Sequence, residues 1–354
     1  MMRLNKIYAL FLASLVLASC SKDDDTRWVD GKAHVSIAVT AASIQSRAET
    51  SDIQQLAGEA NINSLTALVF NEAGARIGYK WEDTEGDQGE SRILNVEAEP
   101  VKARIALVAN VPENAFSGVT TYDDFQKALL TLSSQQQNNL AMSSMEISPS
   151  VSLTEGDNYI GYGNTESLPG LGNVVLLTRV PARVDIGDIK TAFAGSPLEG
   201  RRVHIDAIYL TSVSASSHYY SPEDWGIVED IASPRMTTSE SSLVDPVSDA
   251  TPFTGRLASY YAFENSGTDA PTMLNVRATL MATDDSPAQT KLFTQLVNPN
   301  GVQNGYTHNY VKRNYVYRLN ITFSRNSFDN DDAYLNVQVQ IANWGVVRQG
   351  PVID

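Results

Sequence analysis

The chain contains a single cysteine, Cys20, and its position near the N-terminus predicts a covalent modification. Residues 7–17 form an apolar run that is too short to span a bilayer, so it favours a signal peptide over a membrane helix. The segment from Leu17 to Cys20 has the order of a bacterial lipobox, in which small residues precede the cut and the cysteine thiol accepts a diacylglyceryl group. We therefore expect lipidation of Cys20; the alternative is an ordinary signal peptide with a cysteine there by chance.

A second residue open to chemistry is Arg47, which stands between Ser46 and Ala48 in a segment of small and polar residues over 42–52. A lone arginine in such a segment is usually only a solvated side chain. It is also the accessible, unhindered residue after which a trypsin-like protease cuts. The residues alone leave both interpretations open.

The residue types that bind metal ions do not occur at ligand spacing. The four histidines are widely separated, at His34, His204, His218 and His308. Asp329, Asp331 and Asp332 lie close together, but the glycine and the distal glutamate of a calcium loop are missing, so an acidic turn is favoured. With Cys20 lipidated, no cysteine remains for a disulfide, a thiol nucleophile or a zinc site. We predict no metal and no cofactor.

Motifs of enzymes are also missing: the sequence has no Gly-x-Ser-x-Gly elbow, Walker loop, Rossmann glycine pattern or His-Glu-x-x-His. The net charge of −15 argues against nucleic acid as a partner, because there is no basic stripe for phosphates. Some aromatic residues could line a platform for a sugar, although structural packing is the favoured interpretation: Tyr219, Tyr220, Trp225, Tyr260 and Tyr261. We predict that the protein is not an enzyme.

Two segments near the ends of the chain have the period-two alternation of a strand with one buried face. The first runs from His34 to Thr40, with apolar residues at Val35, Ile37 and Val39. The second lies near the C-terminus, with apolar residues at Leu335, Val337, Val339 and Ile341. Trp344 follows this pattern, and a weaker apolar run then begins with Val346 and Val347. A terminal strand this regular should be buried, either in its own molecule or in a neighbour.

The segments between these two strands predict an all-β fold with one or a few short helices. Threonines at 120 and 121 and aspartates at 123 and 124 predict the capped start of a helix whose apolar face continues to Leu132. The strand pattern restarts near residue 175, and we expect two domains joined near residue 172. Because a chain of 354 residues is longer than one core usually supports, we expect two β-sandwich domains of transthyretin-like or Greek-key type.

The order of these features resembles that of the fimbrillins of Bacteroidales, the subunits of type V pili. Lys102 to Asn110 resembles a strand of their N-terminal domain that ends in VANV. Leu177 to Val184 resembles the opening of their second domain, except that Pro181 replaces the usual small apolar residue. Asn314 to Ile321 resembles a strand near their C-terminus that is followed by a lone tryptophan. The acidic residues after Cys20 also resemble the tether of surface-exported lipoproteins of Bacteroidetes.

The resemblance implies assembly by strand exchange. A lipidated precursor would reach the outer membrane, where an arginine-specific surface protease would cut after Arg47 and leave Ala48 as the new N-terminus. The cut would release the first strand, with Val35, Ile37 and Val39, and open an apolar groove for the C-terminal strand of another copy or a related subunit. The resemblance places the donor residues of that strand at Leu335, Val337, Val339, Ile341, Trp344, Val346 and Val347.

The resemblance also implies a division of the chain. We expect a signal peptide over residues 1–20, a propeptide with the first strand over 21–47, an N-terminal domain over 48–172, a C-terminal domain over 173–332 and a donor-strand tail over 333–354. The expected function is a structural subunit of an extracellular fimbria that supports adhesion to a host or bacterial ligand. The regular terminal strand favours a stalk subunit. The alternatives are a tip or accessory adhesin and a surface-anchored glycan-binding lipoprotein.

Overall fold

A computed structural model describes residues 31–41, 53–88, 90–220, 234–265, 270–329 and 334–344. These residues form the predicted all-β fold, with two short helices, α1 (Tyr122–Lys127) and α2 (Arg325–Asp329), and one 3₁₀ turn (Leu132–Ser134). None of the helices in the described ranges is long and apolar enough to cross a membrane.

The N-terminal half is built on one eight-stranded sheet. The strands of this half are β1 (Ala33–Ala41), β2 (Asn61–Asn71), β3 (Arg76–Gln88), β4 (Glu90–Ala98), β5 (Ala103–Ala109), β6 (Leu129–Thr131), β7 (Met142–Ser143), β8 (Gly156–Ile160) and β9 (Val175–Arg179). In the sheet the order is β3-β2-β5-β7-β9-β1-β4, and β8 also pairs with β1. The alternating apolar residues of its two ends pack together in one core, so the sheet folds back on itself.

The outer face of β2 and β5 is covered by α1. The predicted capping box is confirmed: the Thr121 side chain accepts from the backbone N–H of Asp124, and the Asp124 side chain accepts from that of Thr121. Tyr122 and Phe125 face the core, as the pattern predicts. The predicted continuation of the helix to Leu132 is wrong. The helix ends at Lys127 because the backbone of β6 pairs instead with a strand of the C-terminal half.

The C-terminal half is a sandwich of two four-stranded sheets. Its strands are β10 (Ala182–Ala192), β11 (Val203–Thr211), β12 (Val213–Ser214), β13 (Ser216–His218), β14 (Arg235–Met236), β15 (Ser241–Val247), β16 (Ala258–Ala262), β17 (Met273–Leu280), β18 (Gln289–Leu296), β19 (Tyr315–Ser324) and β20 (Asn336–Asn343). One sheet has the order β16-β10-β19-β20 and the other β15-β11-β17-β18. Their inner faces share a core that also reaches the outer face of β2 and β5.

The two halves meet later in the chain than the sequence pattern indicates. β9 pairs with β1 and β7 and so belongs to the N-terminal sheet, although the expected boundary lies at residue 172. Only Val180 and Pro181 separate β9 from β10, the first strand of the C-terminal sandwich. The expected tail over 333–354 is also corrected in its described part, because β20 completes a sheet of the sandwich. The halves are tied together further by the pairing of β6 with β13.

Candidate assembly site: the first strand, the last strand and the domain junction

The first strand, β1, lies inside the N-terminal sheet. It pairs antiparallel with β4 along one edge and parallel with β8 and then β9 along the other. Val35, Ile37 and Val39 are at most 1% exposed and belong to the core of this half. Because both edges and both faces of β1 are covered, removing it would leave an apolar groove lined by unpaired backbone N–H and C=O groups.

β1 also holds two other strands in place. In the described part of the chain, β4 and β8 pair with no strand other than β1. β4 has additional support from side chains of β3, where the Lys80 ammonium donates to the carbonyl oxygen of Leu94 at 2.6 Å. The groove therefore needs a replacement strand if its walls are to keep their hydrogen bonds.

The last strand, β20, is an edge strand of its own C-terminal sandwich. It pairs antiparallel with β19 in unbroken register, from Thr322↔Asn336 to Tyr315↔Asn343. Leu335 and Ile341 are buried, and Val337 and Val339 are partly buried against the same core. The expectation that these residues are reserved for another molecule is corrected for this structure, since they complete their own domain. A donor role for them stays a prediction, and it would require β20 to leave β19.

Side chains and backbone groups hold the end of β20. The Tyr306 hydroxyl donates to the carbonyl oxygen of Ile341. The backbone N–H of Trp344 donates to the carbonyl oxygen of Asn314 at 2.9 Å. Asn314 lies in the left-handed region, with φ of 59°, and its side-chain oxygen accepts from the backbone N–H of Arg179 at 3.2 Å. The end of the last strand is thus connected to the segment between the two halves.

A buried group of polar and aromatic residues surrounds this connection, and we name it the junction cluster: Glu59, Arg179, Arg183, Asp185, Tyr261 and Trp344. Arg183 is its centre and is fully buried. Its guanidinium lies 2.6 Å from a Glu59 carboxylate oxygen and 2.9 Å from one of Asp185, and it donates to the carbonyl oxygen of Gln54 at 2.7 Å. Two carboxylates and a carbonyl therefore satisfy the buried cation.

Glu59 joins the segment that follows Arg47 to this cluster. Its carboxylate accepts from the backbone N–H of Leu56 at 2.7 Å and from the Tyr261 hydroxyl at 2.8 Å, besides Arg183. Its carbonyl oxygen accepts from the Arg179 side chain at 2.8 Å. Glu59 is fully buried, so each of these bonds replaces a bond to water.

Trp344 closes the junction cluster. The indole is fully buried and stacks on Tyr261, with ring centroids 6.4 Å apart and planes 8° from parallel. The guanidinium carbons of Arg179 and Arg183 lie 4.7 Å and 5.3 Å from the ring centroid. Both distances are within the range of a cation–π interaction, which is strongest for desolvated partners. The last described residue of the chain is therefore packed against residues from both halves.

Burial and nearby charge shift the ionisation of the cluster. Burial lowers the pKa of Arg179 to about 10, against the attraction of Glu59, so the side chain stays charged at neutral pH. Burial also acts to lower the pKa of Arg183, but the attraction of Asp185 and Glu59 outweighs it and raises the pKa. Burial, with the charge of Glu59 second, raises the pKa of Tyr261 and keeps its hydroxyl a donor.

Several predicted site residues lie outside the described residues: Cys20, Arg47, Ala48, Val346 and Val347. Trp344 was expected among the donor residues and instead lies at the junction. Tyr261 was expected to be a packing residue, and the sequence did not reveal a site at Glu59, Arg179, Arg183 or Asp185. A signal was present, since Arg179 and Arg183 both interrupt an otherwise apolar run, and a charged residue there is buried only with a partner.

The alternative of an aromatic sugar platform is not supported by the four described tyrosines. Tyr219 is buried against Phe116, with ring centroids 4.9 Å apart. Tyr220 packs edge-on against Phe125, and the Tyr260 hydroxyl donates to the carbonyl oxygen of Ile208 at 2.8 Å. Tyr261 belongs to the junction cluster, and Trp225 lies outside the described residues. In the described ranges no three His, Cys, Asp or Glu side chains are placed to hold a metal ion.

Replacing Val337 by Asp is expected to lower the free energy of unfolding by about 1–3 kcal/mol, because the charge would enter the core of the sandwich. Gln338→Asp is the matched control on the exposed side of the same strand, with an expected change within about 0.5 kcal/mol. Urea denaturation followed by circular dichroism measures both. Equal stability of the two variants would mean that β20 does not complete its own domain in solution.

Comparison with known proteins places this geometry in a family. Residues 33–179 match the family model of the major fimbrial subunit protein FimA, and residues 180–344 match that of the C-terminal domain of the Fim1C-like fimbrium tip subunit. A protein of Parabacteroides distasonis provisionally named fimbrium tip subunit Fim1C is 41% identical, over 99% of both chains. The chain belongs to the fimbrillin family of Bacteroidales. The two family models meet at residues 179 and 180, where the fold changes from the N-terminal sheet to the sandwich.

Other relatives agree with this assignment. A major fimbrium subunit FimA type-2 of Porphyromonas gingivalis is 24% identical over 98% of this chain and 99% of its own length. A crystal structure from Parabacteroides distasonis, provisionally described as a cell adhesion protein, has a TM-score of 0.82 at 42% identity and covers 90% of this chain and 99% of its own. This fimbrillin is thus a structural subunit of a cell-surface fimbria and not an enzyme, and it assembles with other fimbrial subunits.

Proposed function

We propose that this fimbrillin is a tip subunit, which receives a donor strand in its N-terminal domain and supplies none. The observation that carries the proposal is the contrast between the two end strands. β1 precedes the segment that contains Arg47, so one cut after Arg47 separates it from the rest of the chain. β20, by comparison, is paired along its length with β19 and ends in the junction cluster. Similarity of the C-terminal half to the Fim1C-like tip model supports the same role.

The proposed route begins with the precursor. Cys20 would carry the lipid that anchors it in the outer membrane, and an arginine-specific surface protease would cut after Arg47. The trimmed chain would begin at Ala48, and Gln54 and Glu59 follow within about a dozen residues. Their hydrogen bonds to Arg183 would keep the first part of the trimmed chain attached to the C-terminal half after the cut. A neighbouring subunit's strand would then replace β1 and restore the ladders to β4, β8 and β9.

The geometry of the interface explains why such a subunit would end a fibre. An acceptor groove and a donor strand at different places on one subunit give a head-to-tail contact that can repeat without closing. A subunit with the groove alone can make only one such contact. Adhesion to a host or bacterial ligand at the free end is the activity that this position would serve.

A stalk subunit is the second candidate. It is favoured by the position of β20 at the edge of its sheet, where only one ladder must break to release it. It is also favoured by the apolar alternation that β20 shares with β1. The two candidates differ in one respect that can be measured, because only a stalk subunit polymerises by itself.

The test is to cut the full-length protein with trypsin and to look for ladders on SDS gels without boiling. For a tip subunit we expect an N-terminus at Ala48, no ladder, and exchange of the released first strand for a fluorescent synthetic peptide of Ala33–Ala41. Arg47→Ala is the control and should block both trimming and exchange. A ladder formed by the trimmed protein alone would establish the stalk subunit, and trimming without peptide exchange would contradict the acceptor groove.

A further inference from the structure

The face of β1 that points away from the core is also covered. His34, Ser36 and Ala38 alternate with the core residues and are at most 7% exposed. At Ala38 the cover is the start of the segment over residues 161–172, which begins directly after β8. The size of the side chains of an incoming strand would therefore be restricted on both of its faces.

Gly161 restricts the size of the side chain that fits at the position of Ala38. A Cβ placed on Gly161 would lie 2.8 Å from the carbonyl oxygen of Ala38 and 3.2 Å from its Cβ. It would also lie 3.2 Å from the Cα of Val174 on the other side. Gly161 is thus packed against the methyl group of Ala38, and there is no room between the two for a longer side chain.

This close approach cannot relax easily. Gly161 has φ of +85°, in the left-handed region, and its backbone N–H donates to the carbonyl oxygen of Leu171 at 2.8 Å. On the side of Gly161, the Ala38 methyl group therefore faces the backbone of a left-handed residue rather than the end of a flexible side chain. A larger residue at this position would have to move backbone, which is the costly way to relieve overpacking.

We propose that the first-strand groove admits only a strand with glycine or alanine at the position of Ala38, and that Gly161 enforces this limit. The proposal rests on the acceptor role proposed above and specifies the partner: its strand has three alternating aliphatic residues with a small residue between the second and the third. The aliphatic residues take the places of Val35, Ile37 and Val39.

The chain's own last strand does not meet this requirement. When Val337, Val339 and Ile341 are placed on the three aliphatic positions of β1, Gln340 falls on Ala38. When the strand is placed in the reverse direction, Gln338 falls there. The aliphatic patterns of the two end strands match, but their intervening residues do not. This subunit therefore excludes its own terminal strand and accepts one from a different subunit.

Competition between peptides tests the limit. Trypsin-cut full-length protein is loaded with a fluorescent Ala33–Ala41 peptide, which unlabelled peptides then displace. We expect the Ala38→Gln peptide to compete at least about tenfold more weakly than the unchanged one. Thr40→Gln, on the same face but partly exposed, is the control and should change competition by about twofold at most. Equal competition by the Ala38→Gln peptide overturns the limit. Failure of the unchanged peptide to compete overturns the acceptor groove itself.

A second competition uses peptides of the last strand, Leu335–Asn343. The unchanged peptide should not displace the label, and the peptide with both Gln338→Ala and Gln340→Ala should. If both peptides compete, the glutamines do not exclude the strand and the proposal fails in this respect.

The role of Gly161 in this size limit can be tested by substitution in the protein, with Gly163 as a closely matched control. Gly161→Ala should reduce the melting temperature of the uncut protein more than Gly163→Ala does. Gly163 has nearly the same φ, +86°, but a Cβ on it would meet nothing within 4 Å, so the backbone strain is shared and only the contacts with Ala38 and Val174 differ. Equal melting temperatures for the two variants would show that Gly161 does not set the limit.

Discussion

Replacing Glu59 by Ala is expected to lower the free energy of unfolding by about 3–5 kcal/mol, because it removes one of the two carboxylates that balance the buried cation of Arg183. Arg183 is fully buried, and Asp185 alone would remain to balance it. The change also removes the acceptor of the Tyr261 hydroxyl and of the Leu56 N–H. Urea denaturation followed by circular dichroism measures the loss.

The matched control for this change is Glu97→Ala. Glu97 forms an ion pair with Lys32 at 2.5 Å, but both side chains are more than half exposed. Removal of such a pair costs about 1 kcal/mol or less. Equal losses for Glu59→Ala and Glu97→Ala would mean that the junction cluster does not hold the halves together.

The strands of this fimbrillin could be predicted well from the sequence, because alternation is a local signal. The predicted strand from His34 to Thr40 corresponds to β1, and the segment from Asn314 to Ile321 corresponds to β19, within a few residues. The capping box of α1 was also predicted from its residues. The end of α1 was not, because it depends on the pairing of β6 with β13, which lies far along the chain. Contacts of that kind leave no mark in a local pattern.

The junction cluster could not be predicted for a similar reason. The apolar run around Arg179 and Arg183 indicates that they are buried, but it does not show their partner Glu59, which lies more than a hundred residues earlier. The domain boundary was placed too early because β9 has the same pattern whether it ends one sheet or begins the next. For β20 the alternation correctly identified the apolar face, but the pattern does not show which molecule covers it.

The second large effect is expected at Trp344. Trp344→Ala should lower the free energy of unfolding by about 3–5 kcal/mol, the usual range for truncating a buried tryptophan. The loss combines the stacking on Tyr261 with the contacts to the guanidinium groups of Arg179 and Arg183. Trp344→Phe retains an aromatic ring in the same place and is expected to lose clearly less. Urea denaturation of the unchanged protein, Trp344→Ala and Trp344→Phe gives the order of their free energies of unfolding.

Trp344 also links stability to assembly, because it anchors the end of the strand that a stalk subunit would donate. Without the indole, β20 is held by its ladder to β19 and by Tyr306. If anchorage alone kept β20 from donating, trimmed Trp344→Ala protein would form ladders. If Gly161 excludes the strand, that variant should stay monomeric and should polymerise only when Gln338→Ala and Gln340→Ala are added. Ladders from Trp344→Ala alone would contradict the size limit at Ala38. Gel analysis of the two trimmed variants therefore shows whether β20 fails to donate because Trp344 anchors it or because its glutamines do not fit the groove.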